Sequence, residues 1–517
     1  MTNLFKKNFL SGAYLIFLGG VSSLSLPPYN YFIINFITFS LFFIFIFNKK
    51  NKIRNNLSFF KYGWFFGFGY FLFSLYWISI SLTFDDNFKF LIPIATILLP
   101  SFLAIFYGLA TYLFATFYSK KVVISFLIFS ILLGTMEFIR GFIFTGFPWN
   151  LIVFSFSDNN NFLQILSIIG TYSFNLICIS FFMCPAVFIL KRSRKEILIC
   201  SLFIFVAVGF LIFGNIKNKQ FNLIKNNNHN YTVRAVSPNI KLNRFYKDKD
   251  EKKIINELIS LSNPIADELT IFLWPEGIIS GVYLNDFRIY EDLFSKNFSE
   301  NHLIILGINS FESRNGKDLY FNSLAVFDNH LNLVDSYKKV KLVPFGEFLP
   351  FESILSLIGL KTITNNYQSY SAGKETKSIN LKSNKFNLSL LPLICYELIY
   401  SGKLHKDEKF DYIINISEDG WFGNSIGPKQ HFVHGIFRSI ESGKYIIRSA
   451  NNGISAIINP SGQIDKKVEF GNKGYIDFVE SKTVKKTQFS KYGNKIFIIL
   501  ILLYIFLIFS FKRIKNE

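Results

Sequence analysis

Leu388-Ser389-Leu390-Leu391-Pro392-Leu393-Ile394-Cys395-Tyr396-Glu397 reads as an apolar strand that stops on a thiol and, two residues later, a carboxylate. A short, nearly continuous apolar run suits a strand of a sheet covered on both faces. Similar runs recur at 231–236, 269–274, 303–308, 323–327, 412–416 and 454–458. Helical patterns lie between some of them, at 251–261 and 430–442. In the first, Ile254, Ile255, Leu258 and Leu261 share one stripe at helical spacing. Strands alternating with helices predict an α/β domain, here bounded at 215–490, with the Asn/Lys-rich stretch 216–230 as a linker into it.

Cysteine usage singles out Cys395. The chain has four cysteines, and Cys178, Cys184 and Cys200 all lie in the long apolar stretches 161–190 and 197–214. Cys395 is alone in the α/β region and has no disulfide partner there, so it reads either as a reactive thiol or as a buried small hydrophobe. Its place at the carboxyl end of a strand favours the first reading, because active-site groups of open α/β sheets collect at such ends. Glu276, in Trp274-Pro275-Glu276, follows the run 269–274, and Lys339 follows the apolar stretch 331–334. A thiol, a carboxylate and an ammonium at three strand ends have complementary chemistry.

Composition speaks for a membrane. Half of the 517 residues are hydrophobic and only 17% are charged, which excludes disordered, collagen-like and small disulfide-rich chains. A bilayer crossing takes about 20 apolar residues in a helix. Spans are expected at 8–25, 30–48, 58–82, 91–118, 122–143, 161–190, 197–214 and 494–511. Seven precede the α/β region, within 1–214, and one follows it, within 491–517. Lys6, Lys7, Lys49, Lys50, Lys52, Arg54, Lys120, Lys121, Lys191, Arg192, Arg194, Lys195, Lys512, Arg513 and Lys515 flank alternate ends of these spans. The positive-inside rule then puts both termini in the cytoplasm and 215–490 on the opposite side. The net charge of +20 is thereby topology information, not a nucleic-acid footprint. The first span has the charged start and Ser-Leu-Ser end of a signal peptide, and is read as a retained helix. Glu137 and Arg140, three apart at the outer end of the fifth span, read as a structural pair.

Three motifs carry a resemblance: Trp274-Pro275-Glu276, Tyr337-Lys338-Lys339-Val340-Lys341-Leu342-Val343-Pro344-Phe345-Gly346-Glu347, and Cys395-Tyr396-Glu397. Together they resemble the nitrilase superfamily. Leu26-Pro27-Pro28, Tyr76-Trp77-Ile78, Glu137-Phe138-Ile139-Arg140-Gly141, Thr145-Gly146-Phe147-Pro148-Trp149-Asn150, Asp419-Gly420-Trp421-Phe422-Gly423 and Arg448-Ser449-Ala450-Asn451-Asn452-Gly453 extend the likeness to its membrane-embedded branch, the apolipoprotein N-acyltransferases. Ser237 stands where that branch leads one to expect Gln before Pro238-Asn239-Ile240.

The resemblance implies an α-β-β-α sandwich on a domain of about eight transmembrane helices, in a bacterial inner membrane, with the catalytic domain in the periplasm. It implies a monomeric acyltransferase that moves a fatty acyl chain from a phospholipid, usually phosphatidylethanolamine, to an apolipoprotein. The acceptor is the α-amino group of the N-terminal S-diacylglyceryl cysteine. Cys395 is the implied nucleophile, forming a thioester in a ping-pong cycle that needs neither metal nor cofactor. Glu276 is the implied general base, a role that calls for a raised pKa. Lys339 is the implied oxyanion partner, assisted by a backbone N–H near Tyr396 and worth roughly 3–4 kcal/mol. Glu347 would position Lys339, with Tyr396 and Glu397 in support.

Other candidates stay open between two readings. Phe345, Trp421 and Phe422 fit an acyl pocket and equally an ordinary core in a chain with 65 Phe. The apolar stretch 348–360 fits a lipid-admitting arm or a buried loop. His431 and His434 have a spacing that two zinc ligands can use, but no third ligand motif accompanies them. They read as surface or core histidines. A membrane-anchored amidase that uses water as acceptor would share the same three central residues.

Overall fold

The computed structural model describes residues 2–245, 250–314, 316–355, 357, 368–402, 404 and 409–513. The chain divides into two units. One comprises Met1–Gln220, Ser401–Lys403 and Thr487–Glu517; the other comprises Phe221–Tyr400 and Leu404–Lys486.

The first unit is helical. Among the described residues, seven helices are long and apolar enough to cross a membrane: Ile33–Lys50, Leu57–Thr83, Asp86–Thr116, Val122–Arg140, Leu166–Leu190, Arg194–Leu223 and Lys495–Arg513. The stretch Phe9–Ser25 is a shorter apolar helix. Helices apolar on all sides keep every backbone hydrogen bond internal, which lipid demands. Close packing is built with small residues: a Cβ on Gly19 would lie 2.0 Å from the Phe66 carbonyl, and one on Gly69 would lie 2.0 Å from that of Ile16.

Several limits differ from the sequence reading: the fourth span runs Asp86–Thr116 and the fifth ends at Arg140. The sixth span starts at Leu166, after the separate turn Asn160–Leu163. The seventh continues to Leu223, so the expected linker 216–230 is mostly helix followed by strand. No Gly or Pro interrupts 215–223, so polar composition alone does not end the helix.

The second unit is a two-sheet sandwich. Its strands are β1 (Asn227–Ser237), β2 (Thr270–Leu273), β3 (Ile279–Tyr283), β4 (His302–Arg314), β5 (Lys317–Phe327), β6 (Leu333–Lys338), β7 (Ile379–Lys382), β8 (Asn387–Ile394), β9 (Tyr412–Glu418), β10 (Ile446–Asn451), β11 (Ser455–Ile458), β12 (Ile464–Val468) and β13 (Gly474–Ser481). One sheet runs β13-β1-β2-β4-β5-β6, with β3 on β4; the other runs β12-β11-β10-β9-β8-β7. The centres of both are parallel, β1-β2-β4 in one and β8-β9-β10 in the other. β6 begins at Leu333, later than the apolar stretch 331–334, because Leu331 sits at φ +55 in a turn closed between Asp328 and Asn332.

The inner faces meet in one apolar core, with Val233, Ile271, Leu273, Ile305 and Leu324 from one sheet and Leu390, Ile394, Ile414, Ile416 and Ile447 from the other. Helix Glu251–Ser262 covers the outer face of the first sheet through Ile254, Ile255, Leu258 and Ile259. Helix Gly427–Ser442 covers the second, bringing Gly435 against Ile458 and Leu398. The layers are therefore α-β-β-α. This arrangement aims the carboxyl ends of the central parallel strands at one edge, where ligands of α/β sheets bind.

Candidate active site

β8 ends at the buried Ile394, and the chain turns at Cys395 with φ +48 into the short helical turn Cys395–Ile399. A non-glycine residue in the left-handed region is strained by about 1–3 kcal/mol and persists where its surroundings dictate it. Glu397 supplies part of that constraint. Its carboxylate accepts the Ile394 N–H at 2.8 Å, the Tyr337 hydroxyl at 2.8 Å, and the Val340 and Lys341 N–H groups at 2.8 and 3.1 Å. One buried side chain thus ties the Cys395 turn to the segment that carries Lys339. Burial pushes the Glu397 carboxyl up, against the pull of the Ile394 N–H, the Tyr337 hydroxyl and the Lys339 charge. The Cys395 thiol is pushed well above the ordinary thiol range by burial first and by the negative charge of Glu276 next, with Lys339 opposing both.

The other sheet delivers the charged groups. Glu276 follows β2 and Lys339 follows β6. Lys339 Nζ lies 3.1 Å from Glu276 Oε1 and 2.9 Å from Glu347 Oε1. Burial alone would push the ammonium down; Glu276, Glu347 and the Cys395 sulfur hold it well above the usual lysine range. Asn322 on β5 donates to both carboxylates, at 2.8 Å to Glu276 and 2.6 Å to Glu347. The second Glu276 oxygen accepts the Glu418 N–H at 3.0 Å, and the second Glu347 oxygen accepts the Val343 N–H at 2.8 Å. Both carboxylates are thereby fixed in orientation as well as in place.

Behind Cys395 lies a buried polar group from β9, β10 and helix Gly427–Ser442. Asp419 accepts from Ser417 Oγ at 2.7 Å and from Arg448 at 2.7 Å, and lies 2.9 Å from His431 Nδ1. Burial alone would raise this carboxyl, but Arg448 and His431 bring it down to about 2. Cys395, Asp419 and His431 each place one potential metal-ligand atom within 4.8 Å of the others. The Arg448 guanidinium already supplies the cation there, 3.3 Å from His431 Nδ1, so the donor set does not suit a metal ion. Beside it, Glu418 pairs with Arg244 and accepts from Asn451 at 2.7 Å.

The remaining sequence candidates fall at varied distances from this centre. Tyr396 is buried, edge-on to Tyr400. Trp421 packs on Phe245, Phe422 stands edge-on to His431, and Phe345 is 52% exposed at φ +63. In the proposed arm, residues 356 and 358–360 lie outside the described residues; Glu352–Leu355 is one helical turn, and Phe351 is exposed. His434 is buried like His431, a core residue. In the helical unit Glu137 and Arg140 form a buried pair at 3.6 Å. Glu137 also accepts from Tyr107 at 2.7 Å and Asn175 at 2.6 Å, while Arg140 donates to the Phe147 and Trp149 carbonyls.

The sequence alone does not single out Asn322 and Glu418, nor the roles of Asp419, His431 and Arg448 in one cluster. Single polar residues inside strands carry no periodic signal. Only the Asp419 and Arg448 motifs pointed towards them.

Residues 18–184 match the apolipoprotein N-acyltransferase N-terminal domain, and residues 246–477 match the carbon-nitrogen hydrolase domain. The pairing defines a multi-pass membrane protein whose α/β unit is of the carbon-nitrogen hydrolase class, working as an acyltransferase. An apolipoprotein N-acyltransferase of Brucella suis biovar 1 (strain 1330) is 32% identical over 483 residues, covering 91% of this chain and 88% of that one. One of Rickettsia prowazekii (strain Madrid E) is 34% identical over 466 residues, covering 87% and 90%. The chain belongs to the apolipoprotein N-acyltransferase family. Nit3 of Saccharomyces cerevisiae, a solved nitrilase-superfamily structure, is 16% identical with a TM-score of 0.35, over 49% of this chain and 90% of that one.

Proposed function

We propose that this enzyme transfers a fatty acyl chain from a membrane phospholipid, phosphatidylethanolamine being the expected donor, to the α-amino group of the S-diacylglyceryl cysteine that begins an apolipoprotein. The enzyme works as a monomer in a bacterial inner membrane with the α/β unit on the periplasmic side. The observation that carries it is the buried ion cluster of Glu276, Lys339 and Glu347, of which Glu276 and Lys339 act by their charges on a thiol poised at a strained turn.

The steps follow from those charges. The resting thiol is neutral, so attack on the ester requires a base at the moment of reaction, and Glu276 is the carboxylate that acts on it. Sulfur bonds to the ester carbonyl as its proton passes to Glu276. Lys339 and the Tyr396 N–H stabilise the oxyanion. Collapse expels the lysophospholipid, whose oxygen takes the proton back, and leaves a thioester on Cys395. The acceptor amine then attacks the thioester, Glu276 takes its proton and passes it to the departing sulfur, and the Cys395 thiol is regenerated as the amide forms. The cycle is ping-pong, and its thioester-to-amide step is downhill, so no energy-coupling co-substrate is required.

The test uses full-length protein in phosphatidylethanolamine vesicles without acceptor, analysed by mass spectrometry. The expected result is one hydroxylamine-sensitive acyl adduct on the Cys395 peptide, discharged onto a synthetic diacylglyceryl-cysteine lipopeptide. An adduct on another residue refutes the nucleophile. Release of free fatty acid with no acylated lipopeptide identifies a hydrolase instead.

A further inference from the structure

The carbonyl of Cys395 and the N–H of Tyr396 belong to one amide. His431 Nε2 lies 3.2 Å from that carbonyl oxygen. Its other ring nitrogen faces Asp419 at 2.9 Å, and Asp419 is in turn fixed by Arg448 and Ser417. Arg448 is anchored to the Ile454 carbonyl at 3.1 Å and to Asn415, and Asn415 donates to the Leu393 carbonyl of β8 at 2.7 Å. His431, Asp419, Arg448 and Asn415 are all fully buried. Phe422 closes one side of the ring, edge-on at 5.6 Å between centroids. A carbonyl oxygen and a carboxylate oxygen both only accept, so each of these contacts calls for an N–H on the ring nitrogen that makes it, Nε2–H towards the Cys395 carbonyl.

We infer that His431 is a positioning residue for the oxyanion donor: by donating to the Cys395 carbonyl it fixes and polarises the amide whose N–H, on Tyr396, faces the developing charge. A hydrogen bond accepted at one end of an amide strengthens the donor at the other. It also removes the rocking freedom of a peptide plane next to a residue held at φ +48. The chain of contacts from Arg448 through Asp419 sets the ring's orientation, much as a carboxylate orients a histidine in other sites. This role rests on the proposed thioester mechanism, in which both tetrahedral intermediates use the same N–H. It acts on the carbonyl chemistry of Cys395 and not on the intrinsic reactivity of its sulfur.

That separation supplies the experiment. In His431→Gln the side-chain amide reaches towards the Nε2 position and keeps a donor for the carbonyl. In His431→Asn the amide matches Nδ1 only and the donor is lost. Full-length variants in phosphatidylethanolamine vesicles are followed by mass spectrometry of the Cys395 peptide, for the rate of acyl adduct formation and, separately, the rate of alkylation by iodoacetamide. Alkylation is a displacement at saturated carbon and forms no oxyanion. His431→Asn is expected to slow acylation about 10²-fold with alkylation close to that of the parent, and His431→Gln to recover most of the acylation. Equal acylation in Asn and Gln variants, or acylation and alkylation falling together, overturns the inference. An adduct that survives in Cys395→Ala overturns the thioester mechanism itself, whatever the His431 variants do.

Discussion

Lys339 Nζ and Glu347 Oε1 meet at 2.9 Å, both buried, and the far oxygen of Glu347 is bonded to the Val343 N–H four residues back in the same loop. Glu347 therefore closes its own loop around the ammonium. Glu347→Gln keeps the size but removes the charge that draws Lys339 over. We expect turnover to fall about 10²-fold, the order reached when a catalytic group is displaced by about 1 Å. The apparent KM for phospholipid should stay near the parent's, measured in vesicles of fixed lipid composition.

Lys339→Met tests the cation. It removes the proposed oxyanion partner, for which a loss of about 10²–10³ in kcat is expected. It also leaves Glu276 and Glu347 with Asn322 as their shared partner in a buried place. Breaking a buried pair typically costs about 3–5 kcal/mol, so a lowered melting temperature should accompany the loss of rate. A variant that loses turnover with unchanged melting would place Lys339 outside the buried cluster.

The thiol's direction of shift has a kinetic signature. Because burial and Glu276 hold Cys395 well above the ordinary thiol range, its thiolate is scarce at neutral pH and becomes abundant only above the usual thiol range. Alkylation of Cys395 by iodoacetamide should be slow at pH 7 and still be climbing beyond pH 9. Acyl transfer, in which the proposed base Glu276 takes the proton during attack, should already operate at neutral pH. A thiol that alkylates rapidly at pH 7 would mean a preformed thiolate and a different use for Glu276.

Asp419 makes the second unit acid-sensitive. Its folded carboxyl is brought down to about 2 from an ordinary 3.8. A lowered folded pKa contributes stability that is present above 3.8 and is lost as pH falls towards 2. The shift corresponds to about 2–3 kcal/mol. Asp419→Asn should be less stable than the parent at neutral pH, and the gap between them should narrow between pH 4 and pH 2. Chemical denaturation in detergent at a series of pH values measures it.

In the helical unit, Gly170 sits at φ +72, and a Cβ there would lie 2.0 Å from the Phe489 ring. Gly170→Ala combines a disfavoured backbone with a clash, and should cost about 2 kcal/mol or more. Phe489→Ala should relieve the clash and leave the backbone cost. Thermal melting of both singles and the double variant separates the two contributions.

Much of this architecture is legible without coordinates. Runs such as 269–274, 388–395 and 412–416 announce strands because both faces of β2, β8 and β9 are buried. The strands that escape notice are mostly edge or half-covered ones, with one exception: β10, Ile446–Asn451, is buried at every position, but Arg448, Ser449 and Asn451 interrupt its apolar run. Ile464–Val468 shows four exposed residues in a row and Ile279–Tyr283 only one buried position, so neither carries an apolar signature. Strand-end placement locates Glu276, Lys339 and Cys395, but nothing local says that Asn322 bridges two glutamates lying 46 and 25 residues away in sequence. His431 and Arg448 are likewise separated from Asp419 by turns of the fold that spacing cannot report.

The two sheets contribute different halves of the chemistry: Glu276 and Lys339 hang from the ends of β2 and β6, while Cys395 and Asp419 hang from those of β8 and β9. No reactive ensemble exists until the sandwich has closed. A nascent or damaged chain, with its layers apart, carries only an unassisted thiol and scattered charges. Such a chain cannot spend an acyl donor without an acceptor, and folding itself serves as the safety catch on the enzyme.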